Sequence, residues 1–236
     1  MLILASASPR RSELLATLGL SFAVMPGEAD ETPRDGEGAA SLAQRLAMWK
    51  AAAVSLPAEA ELVIAADTLV VLGGSVLGKP RHATEASEML WSLRAREHQV
   101  MTGLALAEPA SDRMLVQLAT TGVQMRSYDR DEIAAYVATG DPLDKAGAYA
   151  IQHPEFAPVA AISHCYTNVV GLPLCHLVRG LRRLGLAVPR HPLDVCPYAI
   201  EQRGCPWSEA ILTEPADRWE RFMAYAATRD EIRAAI

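Results

Sequence analysis

A chain of 236 residues, half of them hydrophobic, is long enough for one large or two small folded domains and too apolar for intrinsic disorder. Its net charge of −6, from 22 basic and 28 acidic side chains, argues against a broad nucleic-acid surface, and no apolar run approaches the ~20 residues of a membrane span. No basic stretch precedes an apolar one at the N-terminus, so the expected setting is cytoplasmic, and Cys165, Cys175, Cys196 and Cys205 read as reduced thiols.

Leu2, Ile3 and Leu4 form a strand-like run that ends in small polar residues. Ser8 and Pro9 then mark a helix start, with Leu14, Leu15 and Leu18 as its apolar stripe and Gly19 as its stop. An acidic loop, PGEADETPRDGEG, leads to a helix over about residues 39–55 carrying Leu42, Leu46, Trp49 and Ala53 at helical spacing. LVIAADTLVVLGGSVLGKP reads as two strands joined at Gly73-Gly74. Thr84 is expected to cap a helix that presents Ala86, Met89, Leu90 and Leu93 on one face. HQVMTGLALAE and MLVQLATTGVQM are strands, and Asp129 with Glu132 makes a capping box for a helix running to Gly140. A loop-rich stretch, residues 141–171, precedes a helix from Pro173 to near Gly185. From residue 188 the chain turns proline-rich and then aromatic, with Trp219, Phe222, Met223 and Ala226 forming a helical stripe that docks the tail on the body or a partner.

Several charges are out of place for a purely structural role. Arg10 and Arg11 lie in the first turn of the first helix, where the dipole favours acids, so an anion such as phosphate suits that end. Asp67 interrupts an apolar strand, where a carboxylate needs a partner or a metal. A two-residue turn at Gly73-Gly74 sets residue 68 opposite 79, which brings Lys79 near Asp67 and Thr68. Glu28, Asp30 and Glu31 sit in the acidic loop, Lys50 on a helix flank, and Lys145 and Gln152 bracket the small-residue stretch AGAYAI. Each of these is ordinary alone. The histidines and cysteines have no zinc-finger spacing, and there is no Walker loop or nucleophile elbow.

Eight ordered motifs, LASASPRRSELL, DET, LAMWKA, AADTLV, LGKP, HQVMTG, PLDKAGAYAIQ and YTNVVGLPL, together resemble the Maf family of nucleoside triphosphate pyrophosphatases over residues 1–187. The resemblance implies an α/β fold: a mixed twisted sheet flanked by helices, two lobes around a central cleft, with residues 188–236 a partly helical C-terminal extension. It implies hydrolysis of a nucleoside triphosphate between the α- and β-phosphates with a divalent metal cation, Mg²⁺ or Mn²⁺. By the same likeness Asp67 is the general base, Glu31, Lys50 and Lys79 share its cleft, Asp67 and Glu31 hold the metal, and Ser8, Arg11 and Lys145 bind substrate. The implied partner is the nucleotide, with no nucleic-acid polymer and no membrane, and with a homodimer as the assembly.

Base choice varies in the family at three places, which here read Arg10, Thr68 and Gln152 and resemble the dTTP/UTP branch. A Gln amide both donates to and accepts from a uracil edge, whereas Glu and a stacking Trp suit 7-methyl-GTP. Two departures bear on that pocket: His153-Pro154-Glu155-Phe156 replaces a glycine-rich loop, and His164-Cys165 replaces the usual Gly-Ser. The same reaction on 7-methyl-GTP or another non-standard nucleotide, and a non-catalytic nucleotide-binding regulator, stay open as alternatives.

Overall fold

The computed structural model describes residues 1–215 and 220–235. Strand β1 (Leu2–Leu4) leads into helix α1 (Pro9–Thr17), and β2 (Phe22–Val24) returns beside β1 in parallel. After the acidic loop, α2 (Ala39–Ala53) crosses to β3 (Leu62–Leu72), which lies parallel to β1 on its other side. These parallel pairs give β1 neighbours on both edges. From here on the sheet turns antiparallel.

Gly73 and Gly74, at φ +56° and +86°, make the expected two-residue turn into β4 (Ser75–Leu77), with Val70 facing Leu77. Helix α3 (Ala83–Leu93) starts two residues earlier than a Thr84 cap would set it: the His82 ring nitrogen accepts from the Glu85 N–H at 3.2 Å, so His82 is the cap. An imidazole nitrogen does the work of a hydroxyl there. Long strands β5 (Glu97–Glu108) and β6 (Arg113–Met125) pair along their length, and β5 also pairs with β3. The Asp129–Glu132 capping box forms at the head of α4 (Arg130–Ala138), with bonds of 2.9 and 2.8 Å.

The stretch expected to be loop-rich contains two 3-10 turns, Asp141–Asp144 and Ala146–Ala148, then β7 (Val159–Ile162) and α5 (Tyr166–Val170). Helix α6 (Leu174–Arg183) follows with Pro173 as its N-cap. The result is a mixed eight-stranded sheet of order β2-β1-β3-β5-β6-β7, with β4 added on β3 and β8 (Arg221–Ala224) on β6.

Both faces of the central strands are covered, which is why β3 reads as an almost unbroken apolar run. Leu62, Ile64 and Ala66 pack with Leu14 and Leu15 of α1 and Leu177, Val178 and Leu181 of α6. Val63 and Ala65 face the opposite way, against Ala47, Met48 and Ala51 of α2. Beyond them Val70, Val100 and Val123 pack with α3 and α4. Each fully buried Leu or Ile contributes about 1.5–3 kcal/mol.

The tail holds α7 (Pro192–Val195), α8 (Pro197–Glu201), α9 (Ser208–Thr213), β8 (Arg221–Ala224) and α10 (Tyr225–Ala235). Its apolar stripe is not one helix face: Phe222 and Met223 lie on β8, only Ala226 is helical, and Trp219 falls outside the described residues. Hydrogen bonding to the edge of β6 overrides the helical spacing. Alternation then sends Met223 inward and leaves Phe222 exposed beneath the Arg113 guanidinium. Tyr225 donates to the Ala51 carbonyl of α2 at 3.1 Å. Glu220, buried, accepts from Gln117 of β6 at 3.0 Å and pairs with Arg179 at 3.1 Å and with Arg183, both of α6. All four cysteines are free and line one cavity of about 10 Å³ between α5, α6 and the tail.

Candidate active site

Strand β3 changes neighbours partway along. Its first half pairs with β1 only as far as Ile64, because the chain leaves the sheet after Leu4 to start α1. Its far end pairs with β4 only from Val70, because the glycine turn fixes that hairpin's length. Between them, residues 65–69 are backed by β5 alone, and the sheet has a notch on its other side. Asp67 and Thr68 stand in that notch.

Two close backbone approaches bring the other groups to it. At Gly103, opposite Asp67 on β5, a Cβ would lie 2.1 Å from the Ala43 carbonyl oxygen, so α2 packs directly on the strand. At Gly27 a Cβ would lie 2.2 Å from the Lys50 carbonyl oxygen, so the acidic loop crosses the end of α2 at the same point. The Lys50 ammonium consequently donates to both carboxylates, at 2.5 Å to Asp67 Oδ1 and 2.6 Å to Glu31 Oε1. Partial burial works against ionised Glu31, yet the Lys50 hydrogen bond and the charges of Lys50, Lys79 and Arg11 hold its carboxyl below the ordinary value.

The start of α1 forms another wall. Ser8 is the N-cap by position, but its side chain caps nothing, so the first-turn N–H groups keep no intrahelical partner. Arg11 is pinned by its whole guanidinium: Nε donates to the Gly171 carbonyl at 2.9 Å, one terminal nitrogen to Ser6 Oγ at 3.2 Å, the other to Thr68 Oγ1 at 3.1 Å. Burial draws its pKa down, and the nearby Asp67 and Glu31 carboxylates draw it back up. Thr68 Oγ1 also meets Thr102 Oγ1 at 2.9 Å.

The remaining sequence candidates occupy the rim. Lys79 is exposed, two residues past the last β4 pair, and its charge reaches Glu31. Arg10 pairs with Asp144 at 3.2 Å. Lys145 is buried and spends its ammonium on the Asp141 carbonyl at 2.6 Å and on the Asp141 and Asp144 carboxylates at 2.8 and 2.6 Å. Gln152 is exposed on the turn that follows. Thus Glu31, Lys50 and Asp67 touch, Arg11 and Thr68 touch, and Arg10 meets Lys145 only through Asp144.

Sequence reasoning missed Ser6, Thr102 and Gly171, which orient Arg11 and Thr68, and Asp141 and Asp144, which hold Lys145. The two acids flank Lys145 in DPLDK and could have been read as its partners. Thr102 carried no local signal, because only the β3–β5 register sets it opposite Thr68.

The donor set suits a small hard cation. Asp67 and Glu31 share one ammonium, so both carboxylates face the same point. Among the described residues no three metal-type side chains gather. Magnesium is commonly held that way, by one or two carboxylates with substrate phosphates completing the shell.

Residues 1–184 match the family described as Maf-like protein. The dTTP/UTP pyrophosphatase of Pelotomaculum thermopropionicum is 49% identical over 187 residues, 79% of this chain and 98% of that one. Those of Geobacter metallireducens and Myxococcus xanthus are 46% and 47% identical, over 78% and 80% of this chain and 96% and 95% of theirs.

Proposed function

The chain belongs to the Maf-like family, and from that membership we propose that it is a nucleoside triphosphate pyrophosphatase that hydrolyses dTTP and UTP to the monophosphate and pyrophosphate. The observation that carries the reading is the bridge of Lys50 between Glu31 and Asp67, set in a sheet notch beside the pinned Arg11.

The roles follow from position. Asp67, fixed by Lys50, takes the proton of the attacking water at its carboxylate; positioned bases of this kind are worth about 10²–10⁴ in rate. Arg11, Lys79 and the free N–H groups after Ser8 receive the negative charge of the phosphates and of departing pyrophosphate. Asp67 and Glu31 would hold the divalent metal, which when bound neutralises phosphate charge and acidifies water. Lys50 keeps the two carboxylates together. Arg10, Thr68 and Gln152 select the base. Lys145, saturated by Asp141 and Asp144, supports the substrate site from behind.

Residues 1–187 form the catalytic unit in this reading and 188–236 an extension that braces it. Two lobes around the cleft and a homodimer belong to the same reading through the family resemblance, and the cytoplasmic setting expected from the sequence goes with it.

The decisive experiment assays pyrophosphate release from dTTP, UTP, CTP, the purine triphosphates and 7-methyl-GTP with Mg²⁺. Preference for dTTP and UTP is expected. Preference for 7-methyl-GTP would overturn the base assignment, and saturable binding without pyrophosphate would overturn the catalytic one.

A further inference from the structure

One polar network runs from α4 to the rim of the site and is anchored on a residue that touches none of the reacting groups. The Tyr136 hydroxyl donates to Asp141 Oδ2 at 2.7 Å and accepts from the Ala150 N–H at 3.1 Å. Burial and the adjacent Asp141 carboxylate raise its pKa, so the hydroxyl keeps its proton and the donation persists. The other oxygen of Asp141 accepts from Lys145, Lys145 also donates to Asp144, and Asp144 accepts from Arg10.

The segment gripped this way is not relaxed. Gly147 and Ala148 both have left-handed backbones, at φ +68° and +60°, and the second has a Cβ. A Cβ on Gly147 would lie 2.9 Å from Val70. The Gly147 N–H reaches the Gly78 carbonyl at 3.0 Å, next to Lys79. Such a turn persists only where its surroundings fix it. Tyr136 supplies one bond at each end, Asp141 before it and Ala150 after it.

The ring of Tyr136 is fixed in turn by the stretch that departs from the family pattern. It stacks on buried Phe156 with centroids 4.4 Å apart and meets the His153 ring edge-on at 4.7 Å. Arg126 lies over Phe156 and donates to its carbonyl at 2.5 Å. In this chain His153-Pro154-Glu155-Phe156 is packed structure.

We propose that Tyr136 is a positioning residue for base selection, holding the turn 144–152 so that Arg10, through Asp144, and Gln152 face the nucleobase with fixed spacing. The inference rests on the reading of Arg10 and Gln152 as base-selecting residues. It adds that their spacing is set from α4.

The test compares Tyr136→Phe, which keeps the ring stack and removes both hydroxyl bonds, with the parent chain. Affinities for the α,β-methylene analogues of dTTP, UTP and CTP are measured by calorimetry, with kcat and KM for the natural nucleotides alongside. Affinity for the dTTP analogue is expected to fall about tenfold, the size of one lost hydrogen bond, with CTP affected less and kcat for dTTP nearly unchanged. Discrimination between dTTP and CTP therefore narrows. Asp144→Asn, at the exposed end of the network, is expected to move the same ratio and serves if Tyr136→Phe does not fold. Equal losses for every nucleotide, or an unchanged ratio in a folded variant, would overturn the inference. If the parent chain binds the analogues selectively but releases no pyrophosphate, the catalytic reading fails while the binding ratio still decides this one. If it binds none of them, both fail.

Discussion

At the scale of single residues, the site is organised by charges that satisfy one another before substrate arrives. Lys50 shares its protons between Glu31 and Asp67, and Arg11 spends its guanidinium on Gly171, Ser6 and Thr68. Asp67→Asn keeps the size and one acceptor oxygen but cannot take a proton. Pyrophosphate release from dTTP is expected to fall by about 10³ or more, with the folded circular-dichroism spectrum retained. Near-parental turnover would remove Asp67 from the mechanism. Much of this was legible in the chain, since Asp67 and the paired arginines contradict their local settings. What was not legible is how they are held: the Thr68–Thr102 contact and the Gly171 carbonyl come from residues 34 and 103 positions beyond Thr68.

At the scale of elements, the glycines set the distances. Gly103 lets α2 lie on β5, and through that contact Lys50 reaches the strand beside it. Gly103→Ala would force a methyl into the Ala43 carbonyl, which is backbone and cannot rotate away. A loss of about 3 kcal/mol or more in urea unfolding is expected. Turn and cap chemistry made the β3–β4 hairpin and the α4 capping box readable, because both are decided within a few residues. The tail was misread for the opposite reason. Phe222, Met223 and Ala226 satisfy a helical period, but the free edge of β6 offers Phe222 and Met223 hydrogen bonds that no local pattern announces.

At the scale of the whole molecule, the tail is joined to the body by buried charge. Glu220 is nearly inaccessible and faces Arg179, Arg183 and Gln117. Glu220→Ala takes from buried Arg179 one of its two carboxylate partners, leaving Glu214 at 2.8 Å, and is expected to cost about 1.5–3 kcal/mol in a denaturant titration. The body also carries an acid-sensitive pair. Burial lowers His98 to about 4 and His176 to about 3, so both are neutral when folded. Unfolded histidines bind protons near pH 6.5. Stability is therefore complete above that value and declines as pH falls toward 4 and 3, seen as a falling urea midpoint between pH 7 and 5. His98→Gln should flatten part of that decline.

The notch in β3 has a consequence for how the molecule breathes. Strand amides alternate in direction, so between Ala65 and Leu69 every second N–H points away from β5, toward no neighbouring strand. The innermost strand thus contains a short stretch whose deuterium uptake should resemble that of a surface strand, flanked by residues that exchange only on global unfolding. Ligand protection in a hydrogen-exchange map should appear there as a slow patch closing between two slow ends, and its arrival would time the filling of the site without any assay of turnover.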